Sequence, residues 1–560
     1  MIDQCGLQWR TPSPISTATT PAEIVIHIAM DFRDIACLLS ASDDTINSRI
    51  DPFDDYLLAL SCIQLMAVRG QCFPAGIDAP GLAIWCIEIE TMNEAAIKKA
   101  IALEGCSNSR RRLLRQLSSI SLGLPLSRVL GLASAGQLSR QHQLPQHDTH
   151  PAYPPPSSPI AAADDQFLDQ LEHANFLFFW EQANPQTGLI KDRCNVRVND
   201  TSLSASIAST GFGLTAICIG EKRGFISYPM ARLRVVQTLS FLWHKLPTHR
   251  GFFFHFANMN TGERIWDSEV SSVDTAILLC GVLTCRQYFQ DKDIDNLARA
   301  IFDRVQWNWL SEDTSLLSMG WTPELGFIPS RWDLYSELMM MYLLGMGSQS
   351  YPLESDAWMA WKRTIFEYDG LRYIGSFAPL FVHQYSQAWF DFRDKRDRFA
   401  DYFENSVIAT EVHRRFCTEL RSQFSDYSND LWGITASDSP RGYVVWGGPP
   451  AMGPIDGTVV PAAAGGSLPF LPISTMRVLR NMHDRYPKAW CRYGFVDAFN
   501  PLTGWYDTDV IGIDTGITML MAENLRSDFV WDTFMRNPEA QRGMDKAGFK
   551  PYQPGPTPFQ

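Results

Sequence analysis

From Asp164 onward, apolar residues return at intervals of three and four through eleven separate stretches, and that spacing narrows the fold more than any other feature of the chain. The first stretch is FLDQLEHANFLFFWEQA, placed behind the N-cap candidates Asp164 and Asp165. The others cover about 204–222, 229–245, 272–289, 294–307, 335–346, 354–366, 403–424, 473–484, 512–525 and 528–537. Strand signals are few. The best is GFFFHFANMNTGERIW, where aromatic residues alternate around an Asn-Thr-Gly turn and predict a hairpin. No fixed-period repeat runs through the chain. The pattern therefore predicts one large all-α domain, as a bundle, a solenoid or a closed toroid of helical hairpins.

Composition excludes some partners. With 48 basic against 61 acidic side chains the formal charge is -13, which is the wrong sign for neutralising a phosphate backbone, so nucleic acid is not expected as a partner. Phe, Trp and Tyr make up 12% of the 560 residues. Most such rings fill cores, and Trp and Tyr in clefts also stack on sugar rings. Six of the 12 cysteines precede residue 110, and Cys194, Cys218, Cys280, Cys285, Cys417 and Cys491 are scattered through the rest. None shows CxxC or Cys/His spacing, so neither disulfides nor zinc are expected. Cys218 and Cys280 lie in apolar runs and read as small buried hydrophobes.

The N-terminal third has a different texture. Ser109-Arg110-Arg111-Arg112-Leu113-Leu114-Arg115 precedes LSSISLGLPLSRVLGLASA, which ends in Ala133-Ser134-Ala135. This resembles a twin-arginine export signal: a basic start, a short apolar segment and an A-x-A cleavage site. Arg128 within the apolar run argues against stable membrane insertion. Residues 1–91 show no sustained period, whereas Met92 opens a plausible basic region, so translation is expected to begin at or near Met92. The expected division is an upstream segment 1–91, a signal peptide 92–135, a Pro/Ser-rich linker 136–163, the helical domain 164–550 and a tail 551–560. A periplasmic or extracellular destination follows.

Candidate chemistry sits in loops dense in carboxylates and aromatics, just before helical runs. These are Trp266-Asp267-Ser268-Glu269 through Asp274, Arg331-Trp332-Asp333 through Glu337, His383-Gln384 through Trp389 to Arg393, and Asp497 through Trp505 and Asp507 to Asp514. Taken singly, Asp274, Asp391 and Asp507 read as helix caps that meet the positive end of the dipole. Glu337 opens the apolar run LMMMYLLGMG, and Asp514 lies within GIDTGITMLMA. A carboxylate at such an edge is partly desolvated, which raises its pKa and suits a general acid. Two carboxylates are what glycoside hydrolysis needs, one to protonate the leaving oxygen and one to activate water or attack. No GxSxG, Walker-type or HExxH motif is present. His255, His383 and His413 lack ligand spacing for a metal, and His383 with Gln384 reads either as a hydrogen-bonding pair for sugar hydroxyls or as structural.

In these segments the chain resembles the glycoamylase-like family that includes bacterial β-1,2-glucanases of glycoside hydrolase family 144. The resemblance runs from about Phe176 to Phe549 and is carried by FFWEQANPQTGLIKDR, WDSEVSSVDTAILLCG, LSMGWTPELGFIPSRWDLYSELMMMYLLGMGS, LWGITASDSPRGYVVWGGPP and YGFVDAFNPLTGWYDTDVIGIDTGITMLMAENLRS, among others. It implies an (α/α)6 toroid and cleavage of β-1,2-linked glucan without metal or organic cofactor. It further implies Glu337 as general acid and Asp514 as the opposing carboxylate. Asp267, Glu269, Asp274, Trp332, Asp333, His383, Gln384, Trp389, Arg393, Trp446, Asp497 and Trp505 would line the cleft. A retaining transglycosylase, a hydrolase of another glucan linkage and a non-catalytic carbohydrate-binding protein remain as competing readings. Mass spectrometry of the N-terminus of the native protein checks the expected start: the first peptides should lie at or after Met92, and peptides from residues 1–91 would contradict it.

Overall fold

The computed structural model describes residues 160–552, apart from 377–378 and 450–452. The expected upstream segment, signal peptide, nearly all of the linker and most of the tail lie outside the described residues. In chain order the helices are α1 (Ala162–Glu181), α2 (Ile207–Lys222), α3 (Tyr228–His244), α4 (Ser272–Phe289), α5 (Lys292–Asp303), α6 (Trp307–Leu310) and α7 (Met339–Gly347). They continue as α8 (Asp356–Ala360), α9 (Tyr402–Glu419), α10 (Pro461–Gly465), α11 (Pro472–Arg485), α12 (Gly512–Ser527), α13 (Phe529–Phe534) and α14 (Pro538–Ala547). Between α8 and α9, two 3-10 turns, Leu380–His383 and Ser386–Ala388, take the place of a helix.

Side-chain pattern assigns each helix to a layer. A helix that is apolar all round is surrounded by protein, and one with a single apolar stripe lies outside. All nine residues of α7 are buried, as is nearly the whole of α2 and α4. By contrast, α5 buries Ile294, Ala298, Ile301 and Phe302, a stripe at spacings of four and three. The inner elements close a ring: α2 packs on α4, α4 on α7, α10 on α12, and α12 back on α2. The remaining links run through the 3-10 segment. Ser386 Oγ donates to the Glu337 carbonyl and accepts from the Met340 N–H ahead of and within α7. Gln384 Nε2 donates to the Ala463 carbonyl in α10, and Asn524 of α12 donates to the Ala388 carbonyl. Outside lie α1 on α2 and α12, α3 on α2 and α5, α5 on α4, α14 on α7, α9 on the 3-10 turn, and α11 on α10. The fold is thus an all-α toroid with inner and outer helical layers.

Among the described residues, no helix is long and apolar enough to cross a membrane. Strands are short, two to five residues each, and three of them lead directly into inner helices. Ser204–Ser206 precedes α2 and pairs with Phe256–Asn258; Val270–Ser271 precedes α4 and pairs with Gly320–Thr322; Asp509–Ile511 precedes α12 and pairs with Arg193–Asn195.

Several expected elements are corrected. The stretch 354–366 is helical only through Asp356–Ala360 and then enters a hairpin, Thr364–Tyr368 with Leu371–Gly375. Its turn is Asp369-Gly370, both at positive φ, the type of two-residue turn that matches strand twist. The hairpin expected in 251–266 is present but short: Ala257 pairs antiparallel with Arg264 around the Asn-Thr-Gly turn, while Phe252–Phe253 pairs instead with Thr248–His249 and Phe256–Asn258 also pairs with Ser204–Ser206. The last expected helix, 528–537, is helical only over Phe529–Phe534, and Asn537 already caps α14, which Pro538 begins. α10 comes from PAAAG, too short and too uniform to show a period.

Glycines let α2 and α4 pack backbone against backbone. A Cβ on Gly281 of α4 would lie 2.1 Å from the Gly211 carbonyl oxygen of α2, and one on Gly211 would lie 2.5 Å from the Ile277 carbonyl oxygen. Gly281→Ala is therefore expected to force these helices apart, at a cost of about 1–3 kcal/mol. A urea unfolding midpoint equal to that of the wild type would contradict the close contact.

Candidate active site

Three inner helices begin in the same way. Ser206, Ser271 and Ile511 are extended residues, at φ -106, -100 and -97, and each ends a short strand and starts a helix in one step. Ser206 and Ser271 cap their helices, accepting from the Ser209 and Asp274 N–H groups. The third helical residue is Ser209 in α2, Asp274 in α4 and Asp514 in α12, each followed by threonine. The same local rule therefore presents a polar side chain from the first turn of each helix, where the helix dipole favours negative charge. Asp274 and Asp514 are each 6% exposed.

These helix starts converge on a cavity holding about 600 Å³ of empty space, its open mouth included. Its polar wall consists of Asp192, Arg193, Ser206, His255, Asp274 and Glu337, with Tyr385 and Tyr443 beside them. Glu337 precedes α7 and is 6% exposed. Its backbone carbonyl is fixed by the Ser386 hydroxyl at 2.9 Å. Asp274 Oδ2 accepts from Ser271 Oγ at 2.7 Å. Arg193 is the cation of this wall: its Nε lies 2.9 Å from Asp192 and its Nη1 2.7 Å from Asp438. Acidic groups thus outnumber the guanidinium in this pocket.

A smaller cavity shares Ile511 with the first and is lined by Asp497, Asp514, Thr515 and Thr518. Asp497 is fully enclosed, and its carboxyl is pushed well above the usual range by burial and then by Asp514, Asp438 and Asp507. Asp438 donates its backbone N–H to Asp497 Oδ2 at 2.7 Å. Burial, with Asp438 and Asp509 nearby, raises Asp507 to about 8. Carboxylate oxygens of Asp438, Asp497 and Asp507 lie within 4.8 Å of one another. These are the described groups that can close on a hard cation, although Arg193 already supplies positive charge to Asp438.

The structure brings Glu337 and Asp274 onto one cavity and places Asp514 with Asp497 on its neighbour. Glu269 is buried behind Asp274, in ion-pair range of His255. Asp267 sits on the exposed rim loop at positive φ, its carbonyl held by Arg264. Trp505 is half-buried on a hairpin with Asn500.

Other expected cleft residues are placed elsewhere. Trp389 is fully buried between inner elements, bonded to Thr215 and packed on Phe212. Gln384 bonds α10, and His383 is enclosed among Tyr335 and Tyr373, its pKa lowered to about 3 by burial and by His413. Trp332 and Trp446 are buried, donating to Ser272 and Ser437. Asp333 faces Lys362 at 3.9 Å toward the surface. Arg393 binds Asp391 and Asp528, and Asp528 ends α12. That end is about 20 Å along the helix from Asp514, so Arg393 cannot reach the cavity. Asp507, expected as a helix cap, instead lies in a hairpin and accepts from Thr508.

His255, Asp192, Arg193 and Asp438 were not placed in the site by sequence. A signal for the rim does exist: IAST, SVDT and GIDT recur at the starts of three inner helices. They are 65 and 240 residues apart, from Ser209 to Asp274 and from Asp274 to Asp514, too irregular to appear as a period.

Residues 329–538 match the Glycoamylase family, described as "Putative glucoamylase". The chain belongs to this glycoamylase-like family. Over 423 residues it is 30% identical to an exo beta-1,2-glucooligosaccharide sophorohydrolase (non-reducing end) of Parabacteroides distasonis, a match covering 68% of this chain and 58% of that protein. The chain thus spans little more than half the length of that curated relative. The endo-beta-1,2-glucanase of Chitinophaga pinensis, solved with sophorotriose and glucose, superposes with a TM-score of 0.64 at 27% identity, covering 70% of this chain and 99% of that one. A beta-1,2-glucanase from Parabacteroides distasonis gives 0.65 at 27%, covering 70% and 60%.

The raised carboxyl of Asp507 has a stability consequence. Between its unfolded value near 3.8 and about 8, the folded state binds this proton more tightly, so the contribution of the group falls as pH rises through that window. Asp507→Asn fixes the neutral form. Its thermal midpoint relative to wild type should be more favourable at about pH 8.5 than at about pH 5, and an equal difference at both would contradict the assignment.

Proposed function

We propose that this chain is a glycoside hydrolase that cleaves β-1,2-linked glucan by general acid/base catalysis. The observation that carries this reading is the pairing of Glu337 with Asp274 on one cavity, at the rim where the inner helices begin. Similarity to proteins that act on β-1,2-glucan and its oligosaccharides supports the substrate class.

In this reading Glu337 protonates the leaving glycosidic oxygen. Glu337 lies at the start of the apolar α7 run and is largely buried on the cavity wall, as a general acid in this role requires. Asp274 takes the opposing role, because it faces the same space and is held by Ser271. Asp514 and Asp497 then bind an adjoining part of the sugar chain, where buried carboxyl groups suit hydroxyl partners. Tyr385, Tyr443 and Phe256 supply the apolar faces that pack on pyranose rings. Without an organic cofactor in the scheme, every proton is moved by these side chains and water.

Incubation of the protein with linear β-1,2-glucan beside β-1,3-, β-1,4- and α-1,4-glucans, with chromatography of the products, tests the proposal. Release of β-1,2 oligosaccharides is expected from the wild type. Glu337→Gln and Asp274→Asn should each lose about 10²–10⁴ in kcat, and Asp514→Asn should act more on KM. Silence on every glucan would favour a binding role, and a larger kcat loss in Asp514→Asn than in Asp274→Asn would return Asp514 to the opposing role.

A further inference from the structure

His255 stands between two acids. Its Nδ1 lies 3.4 Å from Glu269 Oε1 and its Nε2 lies 3.4 Å from Asp274 Oδ2. The ring is 6% exposed and stacks on Phe256 with centroids 3.8 Å apart. Its backbone is fixed as well, since the His255 N–H donates to the Glu269 carbonyl at 2.9 Å. One face of the bridge opens on the cavity that holds Glu337, and the other ends at buried Glu269.

We propose that His255 is a positioning residue that couples Glu269 to Asp274 and so sets the orientation of Asp274 opposite Glu337. This rests on the hydrolase reading above and names a device inside the same site. A neutral imidazole donates at one ring nitrogen only, so it cannot satisfy two ionised carboxylates at once. At 3.4 Å from each, the ring lies in ion-pair range of both carboxylates, and it links the cavity acid Asp274 to Glu269, which the cavity wall does not include, by charge and packing.

The charged and titratable groups around the bridge are Glu269, on the turn before Val270–Ser271, and Asp274 in α4. Across the cavity stand Asp192 and Arg193 at the first strand, Glu337 before α7, and the phenols of Tyr385 and Tyr443. Arg193 is committed to Asp192 and Asp438, which leaves His255 as the cation-capable group beside Asp274.

Two measurements on the full chain test the proposal. In kinetics on linear β-1,2-glucan, His255→Phe should lower kcat at least tenfold, change KM less than threefold and displace one limb of the kcat/KM profile against pH. His255→Gln, which keeps a donor near Asp274, should recover part of kcat. Wild-type kcat and pH profile in His255→Phe would overturn the proposal. The second measurement needs no turnover: NMR titration of the His255 ring, assigned by its loss in His255→Gln, in wild type, Asp274→Asn and Glu269→Gln. Both acid variants should move the titration midpoint. If neither moves it, the coupling is absent, even if glucan is cleaved; if both move it while no glucan is cleaved, the coupling stands and the hydrolase reading fails.

Discussion

The site depends on inner helices that start at one rim, and that arrangement depends on how closely α2 and α4 approach. Gly211 and Gly281 let the two backbones meet with no side chain between them. With larger residues there, the first turns that carry Ser209 and Asp274 would separate, and the cavity between them would lose its wall. The short strands act with this contact. Ser206, Ser271 and Ile511 each end a strand and begin a helix, so strand pairing sets where the helix starts and which side chain occupies its third position. Convergent N-termini also place several partial positive charges around the acids, which lowers the cost of holding so many carboxylates close together.

Far from the rim, buried ion pairs tie the outer layer to the inner one and inner helices to each other. Arg526 of α12 reaches Glu172 of α1 at 2.6 Å, and Lys222 and Arg223 at the end of α2 meet Glu523 of α12 at 2.7 Å. Arg286 of α4 bonds Asn537 and Glu539 at the start of α14. These pairs lie toward the ends of α2, α4 and α12 opposite the cavity. Function and fixation are thus divided between the two ends of the inner helices, and Arg393, with its bonds to Asp391 and Asp528, belongs to the fixing end.

Much of the fold was legible in the sequence because long helices write their burial as spacing. The apolar runs at 272–289 and 512–525 became α4 and α12 with little change. Elements that failed were those whose reason is tertiary. Residues 380–388 are held as two 3-10 turns by Ser386 and Gln384, and PAAAG becomes α10 only because its neighbours leave room for a short helix. The site was legible in part. Glu337 and Asp274 come from two of the acidic loops and line one cavity, whereas Asp514, expected opposite Glu337, lines its neighbour, and the loop that carries Gln384 and Trp389 turns both into the ring. His255 gave no signal of its role, since its partners Glu269 and Asp274 lie 14 and 19 residues later and meet it only through strand pairing.

A structure of the Glu337→Gln variant with a bound β-1,2-linked gluco-oligosaccharide tests the central claim most directly. The account predicts a glycosidic oxygen within hydrogen-bond distance of the amide that replaces the Glu337 carboxyl, with Asp274 on the opposite side of the adjoining ring. Sugar seated only against Asp497 and Asp514, or on the outer surface away from the rim, would contradict it.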